Sequence, residues 1–205
     1  MAERAITVPE KLMTNVPSDE DLMFQVRDGA GEMLGVLFDR YQTPLFNFYL
    51  RLTGDRTVSE DLVQDVFFRI LKYRASYRDG TPFRPWIYRI ARNARIDQVR
   101  GRRAEVSWEP EFEPAVVSED AVQQEQESQL LYRALMKMPE DKKEVLILSR
   151  FQGLKYEEIA RLLGCEVNTV KTKVHRALRE LRETVHRLER CRPSPRMAWK
   201  SQGNA

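Results

Sequence analysis

Tyr156-Glu157-Glu158-Ile159-Ala160-Arg161-Leu162-Leu163-Gly164-Cys165-Glu166-Val167-Asn168-Thr169-Val170-Lys171 reads as two helices joined by a tight turn. Ile159 and Leu163 repeat one turn apart on the first helix, Val170 and Val174 on the second, so the four form one apolar seam. Small Ala160 lets the helices approach, and Gly164 supplies the backbone freedom the turn needs. Continued to Arg190, the second helix keeps Val167, Val170, Val174, Leu178, Leu181, Val185 and Leu188 on one side. Asn168, Thr169, Lys171, Thr172, His175, Arg176 and Arg179 then face elsewhere. A polar, basic face of this kind can enter the major groove, with N-terminal residues at base edges and flanking Lys/Arg on phosphates. The plainer alternative is an amphipathic hairpin with a solvated face. Cys165 reads as a small apolar residue at the turn, and Glu157 and Glu158 as first-turn acids that complement the helix dipole.

Upstream of this motif the pattern stays helical. Helices are expected over roughly Ala121 to Met136 and Pro139 to Phe151, with Pro139 in a first turn and Gly153 at the end. Earlier, apolar residues recur through Leu34, Leu37, Phe38 and Tyr41, then Leu45, Phe48, Tyr49 and Leu52, stopping at Gly54. Pro44 is expected to start a new turn or kink this run, and Ser59 to cap the next helix. That helix presents Leu62, Val63, Val66, Phe67, Ile70 and Leu71, and a turn-rich loop from Tyr77 to Pro85 leads to another from about Trp86 to Arg103. Strand alternation is absent. The fold class is therefore all-α, as two small helical domains with a flexible acidic linker.

Charge along the 205 residues separates these parts better than the net +3 does. Arg69 to Arg103 holds eleven Lys/Arg against two acids, Glu105 to Glu127 holds eight acids and no Lys or Arg, and Lys171 to Arg192 holds eight bases against three acids. We expect a leader over 1–18, a first domain over 19–104, the linker over 105–121, a second domain over 122–190 and a tail over 191–205. Trp108 and Phe112 give the linker segment more aromatic character than a linker needs, but its acids, Pro110 and Pro114 outweigh them. No stretch approaches the ~20 apolar residues of a membrane helix, and no apolar segment marks a secretory signal, so the expected location is the cytoplasm. Cys165 and Cys191 stand apart without metal-ligand spacing, and no histidine, cysteine or carboxylate set suggests catalysis. Neither a metal nor a cofactor is expected.

In the first domain the informative run is Phe83-Arg84-Pro85-Trp86-Ile87-Tyr88-Arg89-Ile90-Ala91-Arg92-Asn93-Ala94-Arg95-Ile96-Asp97. Aromatic rings can stack on unpaired bases while arginines hold the backbone of an opened strand. Packing competes with this, and for Trp86 and Ile90 taken singly it is the stronger explanation, because apolar residues at helical spacing usually mark a core. The arginines fit packing less well.

With this run, Glu60-Asp61-Leu62-Val63-Gln64-Asp65-Val66-Phe67 and the helix-turn-helix in that order, the chain resembles the extracytoplasmic-function (ECF) sigma factors over about Glu32 to Arg187. The resemblance implies a non-enzymatic subunit that binds core RNA polymerase, recognises promoter elements near minus ten and minus thirty-five, and promotes strand opening. It implies that Asp61, Gln64, Asp65, Phe68 and Arg69 dock on the polymerase. Tyr77, Arg84, Trp86, Tyr88, Arg89, Arg92, Asn93 and Arg95 would serve the minus-ten element, and the seven outward residues of the last helix the minus-thirty-five duplex. An anti-sigma factor is a further implied partner. Lys155 stands where many relatives have Ser, which removes the Ser half of a capping box before Glu158. Two rivals stay open: a stand-alone helix-turn-helix regulator that binds duplex DNA, usually as a dimer, and a helical adaptor whose basic stretches are merely solvated.

Overall fold

The computed structural model describes residues 17–102 and 122–190, so the expected linker and tail, and all but the last two leader residues, lie outside the described residues. Helix α1 spans Asp19–Arg27 and opens on a capping box in which the Ser18 hydroxyl accepts the Asp21 N–H at 3.0 Å and the Asp21 carboxylate accepts the Ser18 N–H. Helix α2, Met33–Thr53, runs through Pro44 rather than restarting there. Burial of Leu37, Tyr41, Leu45, Phe48, Tyr49 and Leu52 outweighs the hydrogen bond that proline removes. It ends at Gly54, whose φ of 77° is the left-handed geometry of a helix stop and whose N–H reaches the Leu50 carbonyl. A Cβ placed on Gly54 would lie 3.0 Å from the Met136 sulfur of the second half.

Helix α3, Arg56–Tyr73, starts one turn earlier than expected: its cap is Asp55, which accepts the Val58 N–H at 2.9 Å. Ser59 is instead fully buried inside the helix and donates its hydroxyl to the Asp55 carbonyl. After a 3-10 turn at Arg74–Ser76, helix α4 spans Phe83–Arg102. Its first amide, Phe83 N–H, donates at 2.8 Å to the Glu20 carboxylate of α1, so an acid from the first helix caps the basic one. Arg27 of α1 clamps the preceding loop through Asp79 at 3.0 Å.

The second half consists of α5, Val122–Met136, α6, Glu140–Leu146, α7, Tyr156–Leu163, and α8, Val167–Arg190. The single helix expected from Pro139 to Phe151 is α6 followed by a π-helical turn, Ile147–Phe151, in which the Gln152 N–H bonds back five residues to Ile147. Pro139 is the residue before the first turn, and Gly153 follows with φ 60°. No strand occurs among the described residues. The two halves also pack on each other, and their buried side chains form one continuous core from Leu22 to Ala177.

Candidate nucleic-acid interface

The helix-turn-helix forms as its sequence requires. Ile159, Val170 and Val174 are buried, Leu163 is partly so, and Ala160 lies at the crossing of α7 and α8. Gly164 adopts φ 64°, the conformation that turns the chain between them. At the start of α7, Glu158 still accepts the Lys155 N–H at 2.7 Å, so half of the capping box survives. The other half is absent because an ammonium group cannot accept a hydrogen bond. Cys165 is partly buried against the core.

All seven outward residues of α8, Asn168, Thr169, Lys171, Thr172, His175, Arg176 and Arg179, are exposed on one face. Thr172 bonds back to the Asn168 carbonyl at 3.0 Å, and Arg179 is only loosely placed by Glu183 at 3.8 Å. Lys171, His175 and Arg176 have no partner among the described residues, so their polar ends are available to a ligand. Such a face presents donors and cationic charge without first having to break its own ion pairs.

On α4 the sequence-predicted residues divide. Tyr77 and Trp86, expected at the minus-ten surface, are in the core at 1% and 5% exposure. Their rings pack edge-on with centroids 5.0 Å apart, in a cluster that includes Phe24 and Phe83. Burial favours the packing explanation for both, since a ring held on all sides cannot stack on a base. Tyr88 is buried as well, and its hydroxyl donates to the Gln152 side chain of the second half. Burial holds the ionisation of Tyr77 and Tyr88 well above the ordinary tyrosine range, so both are neutral donors. Arg89 and Asn93 are exposed, one turn apart on the outer face.

The remaining arginines of α4 meet the second half. Arg84 donates to the Gln152 carbonyl. Arg95 grips Glu140 with two hydrogen bonds, 2.9 and 3.2 Å. Arg92 Nε lies 3.1 Å from Glu144, but the approach is not that of a hydrogen bond, and this buried N–H is left without a partner. The pair is therefore chiefly electrostatic. Burial raises the Glu144 pKa, against the pull of Arg92.

On α3, Asp61, Gln64 and Phe68 form an exposed row at i, i+3 and i+7, and Phe68 is 66% exposed. Arg69 is a tie rather than an open contact: it bonds Asp65 at 2.9 Å and reaches Asp97 of α4 at 2.7 Å. Burial works against its charge, but these two carboxylates prevail and raise its pKa. Sequence reasoning passed over Tyr73, 48% exposed beside this row, and assigned Leu71 to the buried face although it is 38% exposed. Among the described residues no group of three or more His, Cys, Asp or Glu is placed to hold a metal, and no helix is long and apolar enough to cross a membrane.

An exposed polar and basic helix on a helix-turn-helix, packed on a bundle with a second basic helix and an exposed acidic-aromatic row, defines an all-helical protein with the surface chemistry of a nucleic-acid binder. Residues 37–105 match the family model for Sigma-70 region 2, and residues 128–181 match that for Sigma-70, region 4. The chain is 33% identical over 170 residues to the RNA polymerase sigma factor CarQ of Myxococcus xanthus, covering 82% of this chain and 97% of that one. It is 32% identical over 179 residues to the ECF RNA polymerase sigma factor SigE of Mycolicibacterium smegmatis, covering 82% and 69%. Among solved structures it is similar to the sigma factor RpoE of Bartonella quintana in complex with the anti-sigma factor NepR, at TM-score 0.62 and 28% identity over 74% of this chain and 96% of that one. The chain belongs to the ECF RNA polymerase sigma factors. Members of this family are non-enzymatic initiation factors that act with core RNA polymerase at promoter DNA.

Proposed function

We propose that this sigma factor divides its work between the two halves, with α8 reading the minus-thirty-five duplex and α4 handling the minus-ten element. The observation that carries the first assignment is the exposed, largely unpaired face of Lys171, Thr172, His175 and Arg176, together with Asn168, Thr169 and Arg179. Lys171, Arg176 and Arg179 suit phosphates or guanine edges, and Asn168 suits an adenine edge. For the minus-ten element, Arg89 and Asn93 are the accessible residues, and Arg84, Arg92 and Arg95 join them when their partners in the second half are released. Tyr77 and Trp86 support this surface from beneath by fixing α4.

The acidic-aromatic row Asp61, Gln64 and Phe68, extended by Leu71 and Tyr73, is the proposed polymerase contact, with Asp65 and Arg69 holding the row against α4. An exposed aromatic ringed by charge is a common anchor at interfaces. The likeness to a sigma factor solved with its anti-sigma factor supports an anti-sigma partner here also, acting in the cytoplasm. The domain limits 19–104 and 122–190 are proposed as the functional units. The stand-alone regulator fits less well, because the first half matches a polymerase-linked family model rather than a ligand-binding domain.

The test is transcription in vitro with purified core polymerase on a promoter library, with and without the protein, followed by sequencing of transcript starts. New starts that share two spaced elements are expected. Duplex binding without core-dependent starts would favour the stand-alone regulator.

A further inference from the structure

The loop 77–82 leads from the 3-10 turn after α3 into α4, between Tyr77 and Arg84 of the minus-ten assignment. Tyr77 is in the core, so the open residues of this loop are Arg78, Asp79, Gly80 and Pro82. The loop is fixed from within: the Thr81 N–H donates to the Arg78 carbonyl at 3.1 Å, the Tyr77 hydroxyl donates to the Thr81 carbonyl, and Gly80 takes a left-handed φ of 73°. It is also held from outside by a single helix. From α1, Arg27 donates to Asp79 at 3.0 Å and to the Tyr77 carbonyl at 3.4 Å, the Phe24 ring packs on Tyr77 with centroids 5.3 Å apart, and Glu20 takes the Phe83 N–H. The Arg27 guanidinium is itself steadied, 4.8 Å from the Phe24 ring centroid and bonded to Asp28 at 3.0 Å. Helix α1 stands ahead of the matched residues 37–105.

We propose that α1 belongs to the minus-ten device and that Arg27 is a positioning residue, which holds the loop 77–82 in one conformation for the opened strand while touching no DNA itself. The Arg27 side chain is 29% exposed and that of Asp79 86%. A pair so open to water contributes little to global stability. What it fixes is local, because Tyr77 and Asp79 bracket Arg78, the first open cation of the loop. A loop ordered before binding spares the complex the entropy of ordering it afterwards. The second effect is on charge. Asp79 and Asp97 are the two acids between Arg69 and Arg103, and each is met by an arginine, Asp79 by Arg27 and Asp97 by Arg69 at 2.7 Å. Pairing lessens the repulsion that Asp79 would exert on a phosphate passing Arg78.

This role rests on the assignment of α4 and its loop to the opened strand, and the test separates the two. Holoenzyme assembled from core polymerase and each variant is titrated by anisotropy against a labelled single strand carrying the minus-ten element that the promoter assay returns, and against its single-base substitutions. The preference for the matched strand is read, because a changed charge acts on all sequences alike. Arg27→Ala should lower that preference about fivefold at one or two bases, if the freed loop spends about a fifth of its time in the held conformation. Strands substituted at those bases have already lost the contact and should bind variant and wild type alike. The thermal midpoint of the free chain should change little. Asp79→Ala, which breaks the same tie without touching α1, should lower the preference too, and the double variant should be no worse than Arg27→Ala alone. An unchanged preference in both single variants, an equal weakening on every strand, or a double variant that loses more than Arg27→Ala would each overturn the positioning role. If Arg89→Ala and Asn93→Ala weaken strand binding while Arg27→Ala does not, the positioning role alone fails; if none of the three does, the assignment of α4 fails with it.

Discussion

Glu20 and Phe83, sixty-three residues apart, meet where the carboxylate of α1 accepts the first amide of α4 at 2.8 Å. The contact satisfies one of the amides that a helix start leaves open and sets a negative charge against the positive end of its dipole. Glu20→Ala should cost about 1 kcal/mol of stability, in the range of a lost cap, and lower the urea midpoint measurably. Glu20→Gln should retain about half of the loss, since the amide oxygen still accepts while the charge is gone.

Lys171 and Arg176 differ in the kind of contact they are expected to make, and salt tells the kinds apart. A residue that neutralises a phosphate lowers the slope of log affinity against log salt by about 0.9 when it becomes alanine, and weakens all sequences alike. A residue bonded to a base edge costs about 1–3 kcal/mol at one promoter position and little elsewhere. Anisotropy titrations of Lys171→Ala and Arg176→Ala against matched and single-mismatch duplexes, at several salt concentrations, assign each.

Phe68 carries an exposed ring that the folded chain has no evident need for. Phe68→Ala should leave the thermal midpoint within error, as expected for a surface substitution. It should weaken binding to core polymerase by about 2 kcal/mol, roughly thirtyfold, as an interface anchor does. Arg69→Ala is the contrast: it removes the tie to Asp65 and Asp97 and should lower stability along with polymerase binding.

The buried tyrosines make alkaline stability predictable in sign. Tyr41, Tyr49, Tyr77 and Tyr88 all have their ionisation raised, with burial the leading cause, whereas in the unfolded chain they ionise near pH 10. The stability they contribute is complete below that value and is lost as pH rises above it. Lys143 acts in the opposite sense, because its lowered value makes the unfolded chain bind more protons than the folded one at pH values just below 10.5. Urea midpoints should therefore fall above pH 10, and fall more steeply in Lys143→Met, which lacks the opposing contribution.

Much of the geometry of the candidate site was legible in the residues. The seam of Ile159, Val170 and Val174 follows from helical spacing alone, and the outward face of α8 is its complement, so all seven of its residues are exposed as expected. Local rules served less well where tertiary contacts decide. Asp55 displaced Ser59 as the cap of α3 because Ser59 is drawn into the core, where its hydroxyl serves the helix backbone. Tyr77 and Trp86 have the composition of a base-stacking surface, yet Phe24 and Phe83 bury them, and only long-range packing distinguishes the two fates. The partners of Arg84, Arg92 and Arg95 come from residues 45 to 68 positions away, beyond the reach of any spacing argument.

Gly54 stands at a point where two demands on one residue coincide. Its left-handed backbone ends α2, and its missing side chain leaves room for the Met136 sulfur of the other half. Any replacement would be penalised twice, once in the strain of the turn and once in the fit between halves. Of the two, the second is the softer, since a flexible Met136 thioether can shift by a few tenths of an ångström whereas the left-handed backbone of the turn cannot, so Gly54 is held first by the chain's own path and only then by the way the halves meet.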